Sequence, residues 1–162
     1  MAQLFKSAVH LFLLQKTDIL MLRRLNTGYM DGHYSVVAGH LDGDESTTEA
    51  MIREAKEEAG IDLNPDDLEL VGVMHRKSND ERIDFFFVAR NWTGTVTNTE
   101  PHKCDDLSWF AIDSLPSNTI PYIRRAWKNY QEKRWFDTFG LWNELDFRLK
   151  ICYSMIISFG DT

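Results

Sequence analysis

The chain has 162 residues, 43% of them hydrophobic and 27% charged, with a formal net charge of -7, the profile of one ordinary soluble domain. That acidity excludes wrapping a DNA or RNA duplex, which needs a basic stripe, but not binding a small polyphosphate whose charge is met by metal and a few cationic side chains. No apolar run reaches the ~18–20 residues of a membrane helix, and no membrane contact is expected. Cys104 and Cys152 have no further Cys or His at ligand spacing, so free thiols in a reducing cytoplasm are expected.

From the start, MAQLFKSAVHLFLLQ is followed by no small-residue cleavage site, and residues 7–15 are expected to form a buried strand, not a secretory leader. Residues 19–24 (ILMLRR) form the second strand of a hairpin. One arginine at its end, Arg24 in preference to Arg23, is a candidate for substrate phosphates. Residues 26–33 (NTGYMDGH) carry turn chemistry, and residues 34–37 form a short strand. Tyr29, His33 and Tyr34 are candidates to touch a base or sugar, with packing as the plainer role of each. Residues 38–44 are expected as a turn.

A helix is expected from the capping box Ser46–Glu49, with Gly60 as its left-handed cap. Ala50, Met51, Ile52, Ala55 and Ala59 make its buried side. Glu54, Glu57 and Glu58, in the i, i+3, i+4 relation, share the other face. Like charges so placed cost some tenths of a kcal/mol per pair, tolerable on a solvated face or around a divalent cation. The ordered set Gly39, Glu45, Arg53, Glu54, Ala55, Glu57, Glu58, Gly60 and Ile61 resembles the Nudix box of the MutT-like Nudix hydrolases at every specified position.

Beyond the box, residues 68–75 and 82–92 suggest a second hairpin, with Phe85 and Phe87 facing one way and Phe86 the other. Glu100 is the acidic residue outside the box that could approach a metal. Residues 105–112 form a last strand, and residues 122–134 a helix with Ile123, Ala126, Trp127 and Tyr130 on its apolar face. Residues 1–134 read as the domain and residues 135–162 as an aromatic-rich C-terminal extension. Packing back on the domain, pairing in a homodimer and poor order are all open for that extension.

The element order predicts an α/β fold with a mixed sheet, and the resemblance implies a Nudix-type α/β/α sandwich with the box as loop-helix-loop. It further implies hydrolysis of a nucleoside diphosphate linked to a group X, with Mg²⁺, or Mn²⁺, held by Glu54, Glu57, Glu58, the Ala38 carbonyl and Glu100. Arg53 would orient the carboxylates, and the general base would be Glu54, Glu57 or Glu100. Gly39, Arg24 and Tyr34 are the expected substrate contacts. His75-Arg76-Lys77 stands where the family's ADP-ribose pyrophosphatases and dinucleoside polyphosphate hydrolases carry Pro or Tyr. Residues 100–110 (EPHKCDDLSWF) look similar to nucleotide-pool enzymes, which favours a small (d)NTP substrate, oxidised or not, cleaved to NMP and pyrophosphate. Another nucleotide-X (nucleotide sugar, ADP-ribose or 5′-triphosphate RNA) and a non-catalytic nucleotide sensor are the alternatives.

Overall fold

A computed structural model describes residues 4–141. Two long strands, β1 (Lys6–Gln15) and β2 (Asp18–Arg24), open the chain as the apolar runs require. They pair only beside their turn, at Leu14–Ile19 and Gln15–Asp18, and then splay apart. Into the gap come β3 (Tyr34–Ser35), paired with the end of β2, and β4 (Val37–His40), paired antiparallel with Ala8–Leu11 of β1. The stretch expected as a turn from Ala38 is therefore strand through His40, because its backbone groups are taken up by β1.

On the far side of β1 lie β6 (Glu81–Ala89), parallel to it, then β5 (Glu69–Lys77), antiparallel to β6. β7 (Cys104–Ala111) pairs with β2. A last strand, β8 (Phe136–Phe139), lies parallel to β5. The rest of the C-terminal extension, residues 142–162 with Cys152, lies outside the described residues, as does any homodimer contact it would make.

Helix α1 (Thr47–Ala59) covers one face of the sheet and α2 (Pro121–Gln131) the other, giving the α/β/α sandwich. Ser46 and Glu49 close a capping box, and Gly60 adopts φ 69° to end α1. Strand alternation divides the core in two. Val9, Leu11 and Phe87 pack with Ala50, Met51 and Ala55 of α1, and Phe12, Met74 and Phe86 with Ile123, Ala126 and Trp127 of α2. Ile52, expected in the buried stripe, is half-buried, and Glu54 is buried in its place. Among the described residues, no helix is long and apolar enough to cross a membrane.

Candidate active site

The end of α1 leans over the β4 strand, and Gly39 is the point of contact. A Cβ on Gly39 would stand 1.8 Å from Oε1 of Glu54, so only glycine lets the carboxylate lie against the strand. One residue earlier, the Ala38 N–H donates to Oε2 of Glu58 at 2.9 Å. The loop after β4 is held by Glu45, whose Oε1 accepts from the Asp42 N–H at 2.7 Å.

Arg53 ties these parts together. Its guanidinium meets Glu45 twice, at 2.7 and 3.1 Å. It also donates to Oε1 of Glu54 at 2.6 Å, to Oε2 of Glu57 at 3.3 Å and to the His40 carbonyl at 3.0 Å. Planar, permanently charged and carrying several donors, arginine suits such bridging. Its hydrogen bonds to Glu45 hold it protonated well above the usual arginine value.

One cation does not neutralise this wall. Burial pushes the Glu58 carboxyl up to about 8 against the Ala38 N–H, and the neighbouring Glu54 and Glu100 carboxylates add to the rise. Burial likewise raises Glu54, against Arg53, with Glu57 and Glu100 adding. Glu100 adds its charge to the cluster from the loop before β7, although its Oε1 is taken by Lys103 Nζ at 2.6 Å.

The wall borders a cleft of about 830 Å³, shared by Ala38, Gly39, Arg53, Glu54, Glu57, Glu58 and Glu100. Arg24 and Lys103 line it too. Arg24 donates to Thr27 Oγ1 and to the Tyr29 carbonyl, which shapes the adjoining loop. Tyr34 is not brought there. Its ring is buried, edge-on to Phe110, and its hydroxyl donates to Asp106. Alternation along β3 turns its neighbour Ser35 to the cleft instead.

Sequence reasoning missed part of the cleft. His10, Arg76, Arg82 and Tyr122 line it as well. The available signal was a single polar residue inside an otherwise apolar run, as in VHLFL around His10 and IDFFF around Asp84, the partner of Arg76.

The site thus sits on an α/β/α sandwich in which a carboxylate-bearing helix leans on a glycine-containing strand, and comparison identifies that fold. The NUDIX domain family model matches residues 4–135, and the chain belongs to that family. The chain is 30% identical over 106 residues to an NAD-capped RNA hydrolase NudC of Stutzerimonas stutzeri, covering 65% of this chain and 36% of that protein. It is 29% identical over 126 residues to an 8-oxo-dGDP phosphatase NUDT18 of Danio rerio, covering 75% of this chain and 37% of that protein. The chain thus spans little more than a third of these relatives. Among solved structures, a MutT NUDIX hydrolase from Burkholderia pseudomallei superposes with a TM-score of 0.72 at 23% identity, over 78% of this chain and 98% of that one. A MutT protein from Methanosarcina mazei Go1 gives 0.69 at 18% identity, over 82% and 97%.

Proposed function

We propose that this chain is a divalent-metal-dependent cytoplasmic hydrolase that cleaves a pyrophosphate bond in a small nucleoside diphosphate-X substrate. A (d)NTP, undamaged or oxidised, yielding NMP and pyrophosphate, is the reading put first. The observation that carries it is the under-neutralised carboxylate wall of Glu54 and Glu58, drawn against the Ala38–Gly39 backbone on one side of a nucleotide-sized cleft. The named 8-oxo-dGDP phosphatase relative supports a nucleotide-pool substrate.

The donor set fits Mg²⁺ or Mn²⁺, being all oxygen and carrying excess negative charge. Glu54, Glu57 and Glu58, with the Ala38 carbonyl and Glu100, would hold the ion. Among the described residues no three acidic, His or Cys groups are already gathered for one, and Arg53 occupies Glu54 and Glu57. Loading would therefore exchange an Arg53 contact for a metal contact. The ion supplies charge neutralisation at the phosphates and a lowered pKa for bound water. Arg53 keeps the carboxylates in register, and Glu54, Glu57 or Glu100 takes the proton of the attacking water. Arg24 and Lys103 meet the phosphate charge from the cleft wall.

The similarity to NAD-capped RNA hydrolases supports a second reading, a dinucleotide such as NADH or an NAD-capped RNA end. The net charge of -7 counts against the long RNA. Pyrophosphate or monophosphate release with Mg²⁺, over dGTP, 8-oxo-dGTP, dATP, ADP-ribose, NADH and a nucleotide sugar, decides between them. Glu57→Gln is expected to reduce turnover at least about a hundredfold while keeping the native melting temperature. Full activity in that variant, or no turnover of any substrate by the native chain, would sink the reading.

A further inference from the structure

The cleft has a second polar centre, which the carboxylate chemistry does not use. On the sheet face away from α1 stand His10 of β1, Asp84 of β6 and Arg76 of β5, which are 3%, 0% and 2% exposed. Register sets them side by side. Asp84 lies opposite both Ala8 and Met74, and alternation puts His10 and Arg76 on that same face. Arg76 donates Nε to Oδ2 of Asp84 at 2.5 Å, Nη2 to Oδ1 at 3.4 Å and Nη1 to Ser78 Oγ at 3.1 Å. The Tyr122 ring lies 4.0 Å from its guanidinium. His10 stacks on Phe86 at 4.8 Å, and its Nε2 is 3.3 Å from Oδ1 of Asp84. That approach lacks hydrogen-bond geometry, and neither ring nitrogen finds a hydrogen-bond partner among the described residues.

Stability alone does not account for this group. Desolvation consumes most of the Coulomb energy of a buried ion pair, and apolar residues of like volume commonly serve as well. An imidazole buried without a hydrogen bond to either nitrogen is a net cost. His10 and Arg76 both line the cleft, so a bound group can complete what the protein leaves open. His10 is also the register partner of Ala38. Cα atoms so paired lie about 5 Å apart. A nucleotide whose phosphates sit at Ala38 and Gly39 therefore has this floor within reach of its nucleoside part.

We propose that the floor formed by His10, Asp84 and Arg76 is a base-recognition subsite that takes the O6/N7 edge of a 6-keto purine, such as hypoxanthine or guanine. It rests on the nucleotide reading above. A guanidinium only donates, and its contacts with Asp84 and Ser78 take three of its five N–H groups. The Asp84 oxygens are already spent on Arg76. An incoming edge must therefore offer acceptors, and a carbonyl oxygen beside an unprotonated ring nitrogen, as O6 beside N7 in a keto purine, matches the arginine fork. An amino group in the carbonyl's place, as in adenine, turns donor against donor.

Titration calorimetry with IMP against AMP and GMP against 2-aminoadenosine 5′-monophosphate tests this, because each pair differs by an oxo or amino group at C6 and none has an anhydride to cleave. The keto member of each pair is expected to bind at least about tenfold more tightly. Arg76→Lys, which keeps the charge and loses the fork, should bring each pair within about twofold. His10→Phe, which keeps the stack on Phe86, should narrow the preference in the same direction and decides the matter should Arg76→Lys fail to fold by circular dichroism. Equal affinity within the pairs, no binding, or a loss in both variants that is the same for all four ligands overturns the proposal. Pyrophosphate release is scored separately. Ranking without turnover refutes the catalytic reading and leaves the subsite, and turnover without ranking does the reverse.

Discussion

The acidic wall on α1 and the charged floor on the opposite sheet face hold charge in different ways. The wall is partly open to solvent, and one arginine shares its donors among Glu45, Glu54, Glu57 and the His40 carbonyl. The floor is buried along the bottom of the cleft, and its arginine is paired with one buried carboxylate. A shared, half-exposed partner can be given up for another ligand at small cost, whereas a sole buried partner cannot be removed without stranding a charge. Damage to the wall should therefore appear in activity and damage to the floor in stability.

Gly39→Ala gives the largest expected effect on that contrast. The new Cβ would overlap the end of the Glu54 side chain, which can swing aside, while β4 stays paired with β1. A carboxylate displaced by an ångström or more costs roughly a hundredfold in turnover. The melting temperature should move by no more than about 3 °C. A variant that loses stability as heavily as activity would erase the distinction between the two regions.

Asp84→Asn is the converse test. It keeps the shape but leaves Arg76 buried without its countercharge, a loss of about 3–5 kcal/mol. For a domain of this size that lowers melting by something on the order of 10 °C. The deficit should also depend on pH. Burial alone would raise the Asp84 carboxyl, but His10 and Arg76 more than offset it, and the folded value lies below the usual one. Stability from such a group is present above the unfolded carboxyl value of about 3.9 and is lost as pH falls through the folded value. The gap in melting temperature between native and Asp84→Asn protein should thus be full at neutral pH and shrink in acid. A gap independent of pH would mean that the pair carries no charge-linked stability.

The two regions also differed in how far they could be read from the chain. Glu54, Glu57 and Glu58 sit within one helical turn or so of each other, so their spacing alone places them on a face, and Ser46 and Gly60 mark where the helix starts and ends. Even there, sequence spacing could not show that Gly39 admits Glu54 into a buried position, because that contact joins a strand to a helix. The floor draws His10, Arg76 and Asp84 from three strands, and only the parallel β1–β6 and antiparallel β5–β6 registers bring them together. Pairing between distant strands leaves no fixed interval to recognise. The same blindness made Ala38 and Gly39 look like turn, since their partner Val9 and its neighbours lie a hairpin away. It also concealed β8, which is too short to stand out from its aromatic surroundings.

Ser46→Ala should have the smallest effect and probes how local the wall is. It removes the hydroxyl that accepts the Glu49 N–H and donates to Glu49 Oε2, and leaves only the backbone half of the capping box, the Ser46 N–H donating to Glu49. Loss of such a cap costs about 1 kcal/mol, or roughly 2–4 °C in melting for a domain of this length. The damage falls on the first turn of α1. Glu54, Glu57 and Glu58 lie in the later turns, where Met51, Ala55 and Ala59 anchor the helix in the core and Gly60 closes its end. Turnover at saturating substrate should therefore stay within about twofold of the native value while melting falls, since helix ends fray without unwinding the packed turns behind them. A large loss of activity would instead show that the carboxylates depend on the whole helix, coupled through Arg53 and the nearby Glu45 loop. The wall would then be as tightly bound to its surroundings as the floor.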